Sequence, residues 1–196
     1  MTISPLRLLL ALAISTVTAT TTVTVAYASP PTFRAAAAAP CARGETEGKG
    51  KSSVDSGEIR YTETTKFDAA RKHAQKAWTA GAALAKVKIE PDSAFTVNDL
   101  EWRDYRKKDG HGGYREQRPA TAATDYIYLN TYYLEPPGEW SEEKFQRSVA
   151  AHELGHALGL CHKTQQVFSL MWTAVADPPV EKPSDVDKAN YKKIWG

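Results

Sequence analysis

Hydrophobic and polar positions alternate in short runs through the first part of the chain and fall on helical spacing at three places. Glu58-Ile59-Arg60-Tyr61-Thr62 alternates and is rich in β-formers, which predicts a first strand. Ala69, Ala70, Ala74, Ala77 and Trp78 recur at helical intervals, so Asp68–Ala80 predicts a helix, with Gly81 as its stop. Leu84–Ile89 alternates again and predicts a second strand, closed by Pro91. Phe95–Tyr105, alternating around Leu100 and Trp102, predicts a third. Lys107–Gly113 reads as a turn or exposed loop. Tyr114–Thr124 is weakly patterned, and Pro119 confines any strand there to a sheet edge. Tyr126–Leu134 predicts a further strand, broken by Pro136-Pro137-Gly138. Ser141, followed by Glu142 and Glu143, reads as the capped start of a helix running to about Leu158. Ser184, with Asp185 and Asp187 after it, caps a last helix, Ser184–Trp195. Strands come mostly first, without repeats or sustained βαβ alternation, which predicts an α+β domain.

The N-terminus follows a different pattern. After Arg7, Leu8–Val17 is an apolar run, and Ala26-Tyr27-Ala28 supplies an A-x-A cleavage site. Residues 1–28 therefore read as a signal peptide, the run being short for a membrane span. Residues 29–55, with Pro30-Pro31, Ala35–Ala39 and Gly44–Ser53, lack periodicity and read as a disordered linker or short propiece. The folded domain is expected over 56–196. The protein is expected to be secreted, monomeric and free of stable membrane association once the signal is removed.

Charge narrows the partners. Among 196 residues the net charge is +2, which gives no reason to expect nucleic acid. The basic run Arg103–Lys108 reads as a solvated strand end. His73, beside Arg71, Lys72 and Lys76, reads as a surface residue, and His111 between glycines as a solvated one.

Of five histidines, three lie within the eleven residues His152–His162. His152 and His156 are four apart, which on a helix puts both rings on one face, able to share a metal ion. Glu153 projects beside them, within reach of a metal-activated water. Gly159 can take positive φ, end the helix and turn the chain, so that His162 returns to the same ion. Three nitrogen ligands with one open position make the arrangement of catalytic zinc.

The segment His152-Glu153-Leu154-Gly155-His156-Ala157-Leu158-Gly159-Leu160-Cys161-His162 resembles the H-E-x-x-H-x-x-G-x-x-H signature of the metzincin metalloproteases. Ser169-Leu170-Met171-Trp172 resembles their Met-turn. Asn98–Trp102, Tyr126–Asn130 and Tyr191–Gly196 resemble strands and the last helix of matrixin-like domains. Small secreted bacterial proteases of the snapalysin type are a more distant likeness, set apart by the histidine at the third ligand position. Lys163 after the third histidine departs from the usual subfamily patterns.

The resemblance implies a zincin-like α+β domain with a mixed, mainly parallel twisted sheet, an active-site helix, a Met-turn and a C-terminal helix. It implies one catalytic Zn2+ on His152, His156 and His162. Glu153 would be the general base in hydrolysis of peptide bonds of a polypeptide substrate, over an apolar floor at Met171. A calcium site is left unassigned. A secreted zinc-binding protein of the same fold without activity is the alternative. Gly113–Thr121 is the candidate edge for an extended substrate. The two cysteines leave two readings open: a Cys41–Cys161 disulfide, or a Cys41 thiolate on zinc that keeps a proform silent.

Overall fold

Alternation builds the sheet. The computed structural model describes residues 37–119 and 124–196, so the expected signal peptide lies outside the described residues. Strand β1 is Glu58–Glu63, β2 Lys88–Pro91, β3 Leu100–Tyr105, β4 Gly113–Glu116 and β5 Asp125–Asn130. They form one sheet in the order β2-β1-β3-β5-β4. All neighbours are parallel except β4, which runs antiparallel to β5 at the edge. Ile59 and Tyr61, Leu100 and Trp102, and Ile127 and Leu129 point to the core. The intervening positions are half-buried or exposed, as a two-faced sheet requires.

Helix α1 (Asp68–Trp78) and helix α3 (Glu143–Ala157) close the core. The Trp78 indole N–H donates to the Ala151 carbonyl at 2.7 Å, tying one helix to the other. Ala150, Ala151, Leu154 and Ala157 of α3 are all fully buried, so this helix is packed on most of its circumference. Helix α4 (Asp185–Trp195) carries the expected Ser184 cap, completed as a capping box by Asp187. Its Tyr191 is fully buried and stacks obliquely on Trp78. The expected α+β class, with a mixed and mainly parallel sheet, is the class the chain adopts.

Several boundaries differ from the sequence reading, each for a physical reason. The second strand is displaced from Leu84–Ile89 to Lys88–Pro91. Leu84 and Val87 are buried, but in a turn: the Leu84 carbonyl accepts from the Tyr191 hydroxyl and the Val87 N–H donates to it. Pro91 sits within β2 because the strand is at the sheet edge, where its missing N–H leaves no ladder bond unmade. The third strand begins only at Leu100, and Phe95 is almost wholly exposed. The fifth ends at Asn130, whose side chain accepts from the Tyr132 N–H and starts a short helix, α2 (Thr131–Leu134). Helix α3 begins one residue later than expected, with Glu142 rather than Ser141 at the cap position. His73 is half-buried, its Nε2 lying 2.8 Å from the Glu181 carbonyl.

Residues 37–55 were expected as linker or propiece. In the structure they form a strap across the end of α3. Backbone N–H groups of Ala42, Gly48 and Ser53 donate to the carbonyls of His162, Gly159 and Ala157 at 2.8, 3.0 and 2.7 Å. The strap's apolar content is low, so these polar contacts do the holding, and they are invisible to a search for hydrophobic periodicity.

Candidate metal centre and active site

Helix α3 presents His152 and His156 one turn apart, with their Nε2 atoms 3.1 Å from each other. The helix then stops. Gly159 has φ of 86°, in the left-handed region, and donates its N–H to the His156 carbonyl at 2.9 Å. A Cβ there would lie 2.5 Å from the Gly48 carbonyl oxygen, so the position needs glycine for the strap's approach as well as for the turn. The turned chain brings the His162 Nε2 to 3.2 Å from that of His156.

These atoms fit a zinc ion. Nitrogens 2.0–2.1 Å from one tetrahedral ion lie about 3.3 Å apart. Each Nδ1 faces an acceptor, which leaves the Nε2 lone pair free for a metal. The His152 Nδ1 is 2.9 Å from the Leu170 carbonyl and the His156 Nδ1 is 2.9 Å from the Leu160 carbonyl. The His162 Nδ1 is 2.9 and 3.1 Å from the two Glu45 oxygens. Burial, then the neighbouring His162, holds His152 down at about 4. Burial and the other two rings hold His156 well below the ordinary imidazole value. Both rings are therefore neutral near pH 7, the form that ligates.

Beneath them, Ser169–Trp172 makes a tight turn. Met171 is fully buried, and its carbonyl accepts from the Lys163 N–H at 2.6 Å. Gly155 allows this: a Cβ there would collide with the Met171 sulfur and sit 2.9 Å from the Trp78 ring. Asp187 of α4 fixes the turn, accepting from the Leu170 N–H at 2.7 Å and the Ser169 hydroxyl at 2.5 Å. A helix-capping acid thus also positions the carbonyl that orients His152. The sequence showed Asp187 only as an acid in the first helical turn.

Glu153 is 6% exposed and lies on the wall shared by two cavities. Burial pushes its carboxyl up to about 8, against the lowering influence of the Arg115 backbone N–H and guanidinium. Arg115, on β4, is itself held by Asp125, the Ser53 hydroxyl and the Lys51 carbonyl. One cavity, of about 250 Å³, has Trp140, Val149, Leu170 and Val175 in its wall beside His152. The other, of about 640 Å³, lies between the strap and β4 and reaches His156 and His162. Strand β4, within the candidate substrate edge, borders both; residues 120 and 121 of that stretch lie outside the described residues.

Cys41 and Cys161 are joined in a disulfide with their Cα atoms 5.5 Å apart. Cys41 therefore offers no thiolate to the histidine cluster, and the alternative of a cysteine-ligated ion has no support in the structure. The histidine positions were legible in the sequence. Glu45, Arg115 and Asp187 were not, because their partners are remote in the chain and no local spacing marks them. His111 lies exposed at the cavity rim, away from the Nε2 cluster.

No curated protein matches the chain. Among solved structures, the GM1-bound form of the ECX AB5 holotoxin is similar at 13% identity, over 69% of this chain and 70% of that one, with a TM-score of 0.43. High choriolytic enzyme 1, a hatching-enzyme zinc protease from Oryzias latipes (medaka fish), is similar at 16% identity. That match covers 60% of this chain and 48% of the enzyme, with a TM-score of 0.36. The family model of the matrixin peptidases matches residues 46–196, from the middle of the strap through the histidine cluster to the last residue. The chain belongs to the matrixin family of metallopeptidases.

Proposed function

We propose that the protein is a secreted zinc endopeptidase that hydrolyses peptide bonds of polypeptide substrates. The observation that carries this reading is the convergence of the three imidazole Nε2 atoms, with Glu153 beside them, where two cavities meet under an edge strand. His152, His156 and His162 would hold one ion. When bound, zinc supplies Lewis acidity that polarises the scissile carbonyl and makes water a competent nucleophile near neutral pH. Glu153 takes the proton from the attacking water and delivers it to the leaving amine. Burial favours the protonated carboxyl in the metal-free protein, and the positive charge of an ion held beside it would favour the carboxylate that accepts the proton.

The chain's own surfaces define how substrate lies. An extended peptide adds to the free edge of β4, so that backbone pairing fixes its direction. The smaller cavity, walled by Trp140, Val149, Leu170 and Val175, accepts an apolar side chain next to the scissile bond. The signal-peptide pattern of residues 1–28 and the Cys41–Cys161 disulfide support an extracellular location. Among the described residues no helix is long and apolar enough to cross a membrane, and cleavage after Ala28 would leave the whole strap in place.

The test is cleavage of a peptide library by the secreted protein, with and without a chelator and with zinc added back. The expected result is cleavage beside apolar residues, abolished by chelation and restored by zinc. A library left intact by zinc-loaded protein would overturn the reading.

A further inference from the structure

We propose that Glu45 is a positioning residue for the third histidine, and that the strap carrying it is a working part of the metal centre. The inference rests on the reading of His162 as a zinc ligand. His152 and His156 sit on a rigid helix, and their Nδ1 atoms face carbonyls of nearby turns. His162 has neither advantage. It follows the end of the helix, in irregular chain, and its side chain is 30% exposed. Nothing in its own segment orients the ring.

Glu45 supplies that orientation from 117 residues away. One carboxylate grips His162 at two places. The backbone N–H donates to Oε2 at 2.9 Å, and the ring Nδ1 lies 2.9 Å from Oε1. The ring is thereby fixed against its own backbone, with the proton on Nδ1 and the Nε2 lone pair turned toward the other two nitrogens. A carboxylate also makes the ring a stronger donor than a carbonyl does.

Glu45 is itself held. The Ala42 N–H donates to the His162 carbonyl, and Cys41 is bonded to Cys161, the residue before the ligand. Two residues on, Glu47 receives the ammonium of Lys163, the residue after the ligand, at 2.7 Å. His162 is therefore bracketed on both sides by strap contacts, with Glu45 between them. This arrangement gives Lys163 a structural role, its ammonium joining the strap at Glu47 and at the Ala39 carbonyl.

The experiment titrates metal-free, disulfide-intact protein with zinc against a competing chelator, for wild type, Glu45→Gln, Glu45→Ala and His162→Ala. Glu45→Ala is expected to bind about 10–100-fold more weakly than wild type, the range for loss of such a partner. Glu45→Gln keeps an acceptor without the charge and should fall between them. With cobalt(II) in place of zinc, the visible absorption of both Glu45 variants should shift, since the basicity of one ligand has changed. Circular dichroism checks that each variant folds, and the near-isosteric glutamine keeps the test open if the alanine variant does not. Zinc affinities within twofold and unshifted cobalt spectra would overturn the role of Glu45. If wild type takes up no stoichiometric zinc, or His162→Ala binds as tightly as wild type, the reading of His162 itself falls and this inference with it.

Discussion

At the scale of single residues, polar groups outside the histidine motif decide whether the motif can work. Asp187 and Glu45 each hold a ring in place, one through the Leu170 carbonyl and one directly. The Glu47–Lys163 pair shows the energetics of such groups. Lys163 is fully buried and donates to Glu47 and to the Ala39 carbonyl. Burial alone would raise Glu47, but hydrogen bonds from Lys163 and Asn190, with the Lys163 and Lys193 charges, outweigh it and hold it below its ordinary value of 4.5. A carboxyl lowered in the folded state stabilises fully above its unfolded pKa and loses that contribution as pH falls through the folded value. Unfolding free energy from urea melts should therefore fall as the pH drops below about 4.5, and Glu47→Gln should flatten that fall. Glu47→Ala, which leaves a buried ammonium without its counter-charge, is expected to lose about 3–5 kcal/mol at pH 7. Parallel pH curves for wild type and Glu47→Gln would contradict this account.

At the scale of elements, the central device is the stop after α3. Local signals made it legible: two histidines one turn apart, then a glycine three residues on. Gly159 does have left-handed φ, and the chain does return His162 to the cluster. Gly159→Ala should lose about 1–2 kcal/mol from the left-handed backbone alone. More follows from displacing Gly48, whose oxygen occupies the space of the new Cβ. The checks are a lowered melting temperature and faster zinc loss to a chelator. Other elements were less legible. Leu84 and Val87 alternate like a strand, yet their partner is the Tyr191 hydroxyl on a helix more than a hundred residues away. Pro91 reads as a terminator, and only the edge position of β2 makes it harmless. Tyr126–Leu134 has strand composition throughout. The break at Asn130 comes from side-chain amide bonds to the Lys107 and His111 carbonyls, which no propensity records.

At the scale of the whole molecule, the chain closes on itself. The strap at 37–55 meets the end of α3 and also α4, where Asn190 and Ala39 exchange two hydrogen bonds. The Cys41–Cys161 bond spans 120 residues, and so removes much freedom from the unfolded chain. Replacing both cysteines by serine is expected to lower unfolding free energy by about 2–5 kcal/mol and to weaken zinc retention as the strap loosens. Unchanged urea midpoints would show that the polar contacts of the strap suffice alone. Its composition reads as linker because glycine, lysine and alanine carry no apolar period. Its order comes instead from single contacts to residues brought near by the rest of the fold.

The central claim is that three histidines hold one zinc ion for chemistry in which Glu153 moves the proton. It is tested most directly by measuring bound zinc and peptide cleavage on the same samples of wild type and Glu153→Ala. The account predicts one zinc per chain in both, with cleavage slowed about 10²–10⁴-fold in the variant, the contribution of a general base. Equal cleavage by the two zinc-loaded proteins would contradict it.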